Sequence, residues 1–338
     1  MNLGDVWFVV IAVLWTGYFL LEGFDFGVGI LLPVLGGRDE ARRRVLLNTI
    51  GPVWDGNEVW LIVAGGATFA AFPEWYASLF SGFYLPLLLI LVALILRGVA
   101  FEYRGKVDSD RWRRNWDAAI VFGSFVPAVL WGIAFGNMVR GVALDAGHHY
   151  VGGLADLLNP YALTTGAATL LLFTTHGAVF VALKTTGEIR ADARAVAGRV
   201  GVVAAVACGG FLVWTQAARG DRATGAIATV AVVALLGGLV ANRFGREGWA
   251  FLATAVTVAA TTATLFVALH PAVLPSTLAP ANGLTVANAA ATPYTLKIMT
   301  WAAVAFTPIV LVYQAWTYWV FRKRIGVQHI PPPVRTGS

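Results

Sequence analysis

Charge is what this chain has least of. Only 12% of its 338 residues are Asp, Glu, Lys or Arg, roughly half the share found in a soluble domain. With 58% of residues hydrophobic, it cannot cover a globular surface with polar groups. That excludes an ordinary soluble enzyme and points to a polytopic membrane protein. Cysteine is almost missing. The single Cys208 lies in an apolar run, so neither a disulfide framework nor a thiolate metal cluster can be assembled. Histidine is nearly absent from the apolar stretches. Only His176 falls inside one, so a bis-histidine haem site cannot be built from them. Met138 and Met299 lie near span ends and read as packing residues. Lysine is scarce beside arginine, 4 against 20, which reflects genome composition rather than function. There is no nucleophile–base set, no phosphate loop and no nucleic-acid patch. The start Met1–Asp5 has no basic n-region, and the apolar run after it is too long for a cleavable signal.

Nine segments are long and apolar enough to cross a bilayer, each needing about 20 residues. They are 5–35, 51–71, 79–101, 117–139, 160–183, 200–218, 225–241, 249–269 and 295–321. Together they predict an all-α integral membrane domain over 1–321 with a tail at 322–338. The segments after spans one, three, five and seven, plus the tail, hold 19 of the 24 Lys and Arg residues. The opposite-side loops hold only Arg140, Arg219 and Arg222. The positive-inside rule then places the N-terminus outside and the tail in the cytoplasm. The basic excess of the chain is thus a matter of topology. The run Pro331-Pro332-Pro333-Val334-Arg335 should be extended, and 270–293 should be an outer loop. Gly23, Gly27 and Gly29 give span one a small-residue surface that a second helix can approach closely. Lys297 should snorkel.

Four carboxylic acids interrupt the first two spans, in pairs spaced i, i+3: Glu22 with Asp25, and Asp55 with Glu58. This spacing puts both members of a pair on one helix face. One acid at mid-membrane costs about 2.5–3.5 kcal/mol, and four facing lipid would cost on the order of 10 kcal/mol. They must face protein or water. Arg97 lies near the inner end of span three, followed by Glu102, and Asp117 opens span four. All of these charges are expected in the cytoplasmic half of one region, with Arg97 as counter-ion and Glu102 and Asp117 balancing charge. Asp25, Asp55, Glu58 and Glu22 are the candidates for a proton relay. The competing reading is an inert buried ion cluster that fixes helix register. A secondary transporter would also use carboxylates, but it predicts inverted repeats with mirrored sites, and the second half has no mirrored acid pair.

Several strings are distinctive: Leu21-Glu22-Gly23-Phe24-Asp25-Phe26-Gly27-Val28-Gly29, Trp54-Asp55-Gly56-Asn57-Glu58-Val59-Trp60-Leu61, Phe80-Ser81-Gly82-Phe83-Tyr84, Arg97-Gly98-Val99-Ala100-Phe101-Glu102-Tyr103-Arg104, Gly123-Ser124-Phe125-Val126-Pro127, Met299-Thr300-Trp301 and Tyr313-Gln314-Ala315-Trp316. Collinear over essentially the whole chain, they resemble subunit II of the cytochrome bd-type quinol oxidases. The resemblance implies two four-helix bundles plus a peripheral helix, in the bacterial plasma membrane. It implies pairing with a homologous haem-carrying subunit I, with small accessory subunits and lipids as further partners. The complex oxidises quinol outside and reduces oxygen to water with cytoplasmic protons, without pumping. Two haems b and one haem d belong to subunit I, so this chain holds no cofactor or metal of its own. Acids matching Asp25 and Asp55 lie on a proton path. Some relatives carry Gln in place of Glu58 and a neutral residue in place of Lys297, and some hold a quinone in this subunit.

Overall fold

The computed structural model describes residues 2–330; the expected extended run Pro331–Arg335 lies outside them. Twelve helices follow in order: α1 Leu3–Gly36, α2 Glu40–Ile50, α3 Trp54–Ala71, α4 Pro73–Gly82, α5 Tyr84–Tyr103, α6 Asp110–Arg140, α7 Pro160–Lys184, α8 Gly187–Arg219, α9 Arg222–Arg243, α10 Glu247–Leu269, α11 Val286–Ala289 and α12 Pro293–Val320. Eight of them, α1, α5 to α10 and α12, are long and apolar enough to cross a membrane. The expected second span is α3. Asp55, Asn57 and Glu58 dilute its apolar content, and it has 18 residues.

α1, α3, α5 and α6 form one four-helix bundle and α7 to α10 a second, while α12 lies outside both against α1 and α3. The bundles join where α7 meets α1 and α6, and glycine makes the contact with α1 close. A Cβ on Gly27 would stand 2.1 Å from the Phe173 carbonyl oxygen, and one on Gly177 would stand 2.5 Å from Gly27 Cα. The small-residue surface of α1 is therefore used, and α7 is the helix that approaches it. An aromatic layer of Trp15, Tyr18, Phe19, Trp131 and Phe135 fills the first bundle beyond that contact.

Boundaries differ from the expected spans for identifiable reasons. The linker after α1 contains α2, capped by Asp39 and burying Val45, Leu46, Thr49 and Ile50 on one side. This short amphipathic helix is too polar to register as a span. Helix α3 stops at Phe72 because Pro73 disfavours the helical conformation of the residue before it, and Phe72 has φ −138°. The third span is α5 alone. Pro86 would clash with the Gly82 carbonyl in a continuous helix, so α4 ends at Gly82. Helix α8 starts at Gly187, well before the expected 200, because its first turns are amphipathic, with Ile189, Ala193 and Ala197 buried. The segment after α10, expected as an outer loop, is not simply a loop: Ala272–Leu274 pairs antiparallel with Leu284–Thr285, and α11 follows.

Candidate functional site

Helix α1 carries Glu22 and Asp25 on its fully enclosed stretch; both are 0% exposed. Arg97 of α5 is also buried, with Nη1 2.6 Å from Glu22 Oε2. Its guanidinium lies 4.8 Å from the Phe26 ring centre and 5.6 Å from that of Phe101, so ring faces cover it where water does not. Room for it comes from α6, where a Cβ on Gly123 would meet Arg97 Cβ at 2.5 Å. Of the acids in these spans, Glu22 is the one that forms an ion pair with Arg97.

Asp25 has no cationic partner among the described residues. Its Oδ2 accepts a hydrogen bond of 2.7 Å from Asn57 Nδ2. Asn57 Oδ1 in turn accepts from Tyr318 Oη at 2.7 Å and from Gln314 Nε2 at 3.3 Å. Gln314 Oε1 accepts from Trp60 Nε1 at 2.8 Å. The peripheral helix α12 is therefore wired to the buried acid. Glu22 Oε1, Asp25 Oδ1, and Nε and Nη2 of Arg97 are buried with no hydrogen-bond partner among the described residues. An unmet buried polar group costs about 1–3 kcal/mol, so this is a place suited to bound water.

The second acid pair is placed differently. Asp55 is exposed on the first turn of α3 and Glu58, one turn on, is half-buried. Asp55 lines a cleft of about 580 Å³ between α3 and α12, together with Asn57, Trp60, Gln314 and Tyr318. Glu58 interacts electrostatically with Glu22, Arg97 and Asp55. The acids therefore form a series from an exposed carboxylate to a sealed one.

Two expected members of this cluster lie elsewhere. Glu102 does not balance Arg97; it is exposed and makes no ion pair among the described residues. Five positions separate the two, about 140° around a helix, so they leave α5 on different sides. Asp117 belongs to a separate group at the adjoining ends of α2, α5 and α6. It lies 2.6 Å from Arg104 Nε and 2.9 Å from Arg43 Nη1, and Arg104 also grips both oxygens of Glu40 at 2.8 Å. Burial opposes the charge on Arg104, but its bonds to Glu40 and Asp117 outweigh burial and raise its pKa.

His176 is not placed to ligate haem. Nδ1 is 2.7 Å from Thr254 Oγ1 and Nε2 is 3.2 Å from the Leu20 carbonyl oxygen. Phe251 stacks on its ring at 4.7 Å. Met138 and Cys208 are packed in the core. His176 is thus the hydrogen-bonded interior residue that its isolation in the sequence suggested.

Asn57, Gln314, Tyr318 and Trp60 are uncharged and lie outside the set of acids and bases that stands out in the apolar runs. Their signal was available in Asn57 and Gln314, carboxamides inside otherwise apolar spans, since a buried amide needs partners.

Fold and site together define a multi-pass helical membrane protein with a buried acid–arginine cluster near one end of its first bundle. The family model of cytochrome bd terminal oxidase subunit II matches residues 3–321. The cytochrome bd ubiquinol oxidase subunit 2 of Bacillus subtilis is 42% identical over 330 residues, covering 96% of this chain and 97% of that one. The cytochrome bd-I ubiquinol oxidase subunit 2 of Escherichia coli K12 is 35% identical, covering 96% of each chain. A solved chain of bd oxidase from Geobacillus thermodenitrificans superimposes with a TM-score of 0.78, covering 96% of this chain and 100% of that one. At 17% identity it shows the fold alone. This chain belongs to the cytochrome bd terminal oxidase subunit II family. It is a multi-pass component of a haem-containing bacterial respiratory oxidase and partners with a subunit I.

Proposed function

We propose that this chain supports the haem-bearing subunit I of a quinol oxidase and carries a cytoplasmic-side proton path for the reduction of oxygen to water. The observation that carries this reading is the graded burial of the acid series. Asp55 is open to the cleft, Glu58 is half-buried, and Asp25 is sealed beside the neutralised Glu22–Arg97 pair. A relay needs groups that gain and lose a proton at successive depths in a partly hydrated interior. Asp55 takes the proton at the mouth, Glu58 carries it one turn inward, and Asp25 holds it at the buried end. Glu22 is the charge partner of Arg97, which makes its first role electrostatic: the pair lets a positive charge sit near Asp25 without an extra anion. The two haems b, haem d and quinol oxidation are assigned to subunit I, where they supply the electron transfer. Nine spans, α3 being added to the eight long apolar helices, put the N-terminus outside and the residues after α12 in the cytoplasm of a bacterial plasma membrane. Lipids and small accessory subunits complete the assembly. A proton-coupled transporter is not favoured. The relatives are oxidase subunits, and the membrane acids lie in α1 and α3 with no mirrored set in α7 to α10.

The test is turnover per haem in purified two-subunit complexes. Asn keeps the size of Asp but cannot titrate. Asp55→Asn and Asp25→Asn should assemble with normal haem content and consume oxygen at least about tenfold more slowly, a threshold set below the roughly 10²–10⁴-fold that a positioned proton carrier contributes. Asp55→Glu should retain more activity than Asp55→Asn. Both Asn variants turning over at the wild-type rate across pH would make the acids an inert ion cluster.

A further inference from the structure

One obligate donor fixes the polarity of every hydrogen bond leading to Asp25. An indole N–H can only donate, and Trp60 donates to Gln314 Oε1 at 2.8 Å. With its oxygen taken there, the Gln314 carboxamide turns its NH2 toward Asn57, 3.3 Å away. The Asn57 atom facing that NH2 must then be its oxygen, which also accepts from the Tyr318 hydroxyl at 2.7 Å. This leaves the Asn57 NH2 pointing at Asp25 Oδ2, 2.7 Å away. Asn57 is fully enclosed. Gln314 and Tyr318 are spaced i, i+4, on one face of α12, and that face is the exception on a helix whose only buried residue is Leu296.

We propose that Trp60, Gln314 and Tyr318 are positioning residues of the proton relay. They lock Asn57 so that its amide donates to Asp25 Oδ2 and leaves Oδ1 as the oxygen that takes and gives the proton. The proposal rests on the relay reading of Asp25. One O–H bond forms at Oδ1 when the proton arrives and the same bond breaks when it leaves; Asn57 keeps its own protons throughout. An Asn57 free to rotate would present its oxygen to Asp25, and that orientation is favourable only when Asp25 carries a proton. The lock therefore favours the charged, proton-accepting state. The charged and titratable groups around Asp25 are Glu22 on its own helix, Glu58 on α3, Arg97 on α5 and Tyr318 on α12. None of the first three is altered by the variants below.

The experiment measures turnover per haem against pH in the purified two-subunit complex. Three variants are compared with wild type: Gln314→Met combined with Tyr318→Phe, Trp60→Phe, and Tyr313→Phe as a control that lines the same cleft outside the ladder. The first removes both donors to Asn57. The second removes the obligate donor but keeps a ring against Gly17, whose Cβ would stand 2.2 Å from the Trp60 side chain. The expected result is normal haem content, with the rising limb of the profile moved to higher pH by about one unit, a tenfold effect, in the double variant. Trp60→Phe should move it the same way by less, and Tyr313→Phe should match wild type. If Trp60→Phe and the double variant keep the wild-type profile while Asp25→Asn is slow, the lock is refuted and the relay stands. If Asp25→Asn turns over normally, the relay fails and the lock falls with it. Should the double variant not assemble, Trp60→Phe decides on the same axis.

Discussion

Arg97 is the residue on which the buried cluster balances. It is 1% exposed, bonded to Glu22 and roofed by two phenylalanine rings, so water cannot replace it. Arg97→Leu would leave Glu22 uncompensated next to Asp25. Removing one partner of a buried pair costs about 3–5 kcal/mol, and the loss should appear as a lower thermal midpoint and a lower yield of the purified complex. An unchanged midpoint would show that water already screens Glu22. Asp117 behaves differently, because Arg43 and Arg104 both hold it. The ordering of these sites was legible in part. The acids and Arg97 stood out as charges in apolar runs, and the pairing of Arg97 with one of them followed from charge alone. Which carboxylate it takes, and that Glu102 turns away, depends on how α5 is rotated about its axis.

Among the elements, α12 is held by few contacts, and they occur at three heights. Near its start, Trp7 Nε1 donates to the Leu296 carbonyl at 3.2 Å and to Thr300 Oγ1 at 3.1 Å. In its last two turns come the contacts of Gln314 and Tyr318. Past its end the chain is strapped down: Ile325 N donates to the Lys184 carbonyl at 2.8 Å, Thr186 N donates to the Ile325 carbonyl at 3.1 Å, and Lys184 Nζ caps Phe321. Arg324 reaches Glu247 at 3.4 Å, where Arg190 also lies at 2.7 Å. Glu247 is 3% exposed and is the anion that gathers these cations. Glu247→Gln should loosen the strap and speed tryptic cleavage at Arg322, Lys323 or Arg324 several-fold, since proteolysis follows the population of the opened segment. Cleavage at the wild-type rate would mean that the backbone bonds of Ile325 suffice. Hydropathy located α12 but could not show how it is attached, because its anchors lie near or beyond the two ends of the apolar run or are single polar residues within it.

At the scale of the whole molecule, the charge asymmetry and the packing agree on two faces. The segments after α6 and after α10 meet: Val142 pairs with Ser276, Asn282 Nδ2 donates to the Leu144 carbonyl at 2.9 Å, and His148 Nδ1 is 2.9 Å from the Asn282 carbonyl. At the other end, Arg42 of the segment after α1 pairs with Asp192 and Glu188 at the start of α8. The poorly basic segments thus form one cap and the basic ones the opposite cap, as the positive-inside rule requires. Cysteines introduced near positions 148 and 280 should be labelled by a membrane-impermeant thiol reagent on intact cells, and those near 43, 113 and 190 should not. Labelling near 113 would reverse the orientation.

By itself the sequence determined the class of the protein, the approximate course of its membrane helices and the sign of each face, because these depend on sums of transfer free energy and on charge counts along the chain. It also determined which residues were out of place in a membrane, since a carboxylate or amide in an apolar run is costly wherever it points. What only the tertiary structure decided was the sharing of partners: Glu22 rather than Asp25 for Arg97, Asn57 for Asp25, Arg43 and Arg104 for Asp117. The breaks at Phe72 and Phe83, the extra helix α2 and the amphipathic start of α8 also emerged there. Those outcomes rest on helix rotation and on side chains meeting across hundreds of residues, such as Trp60 and Gln314, which no local periodicity encodes.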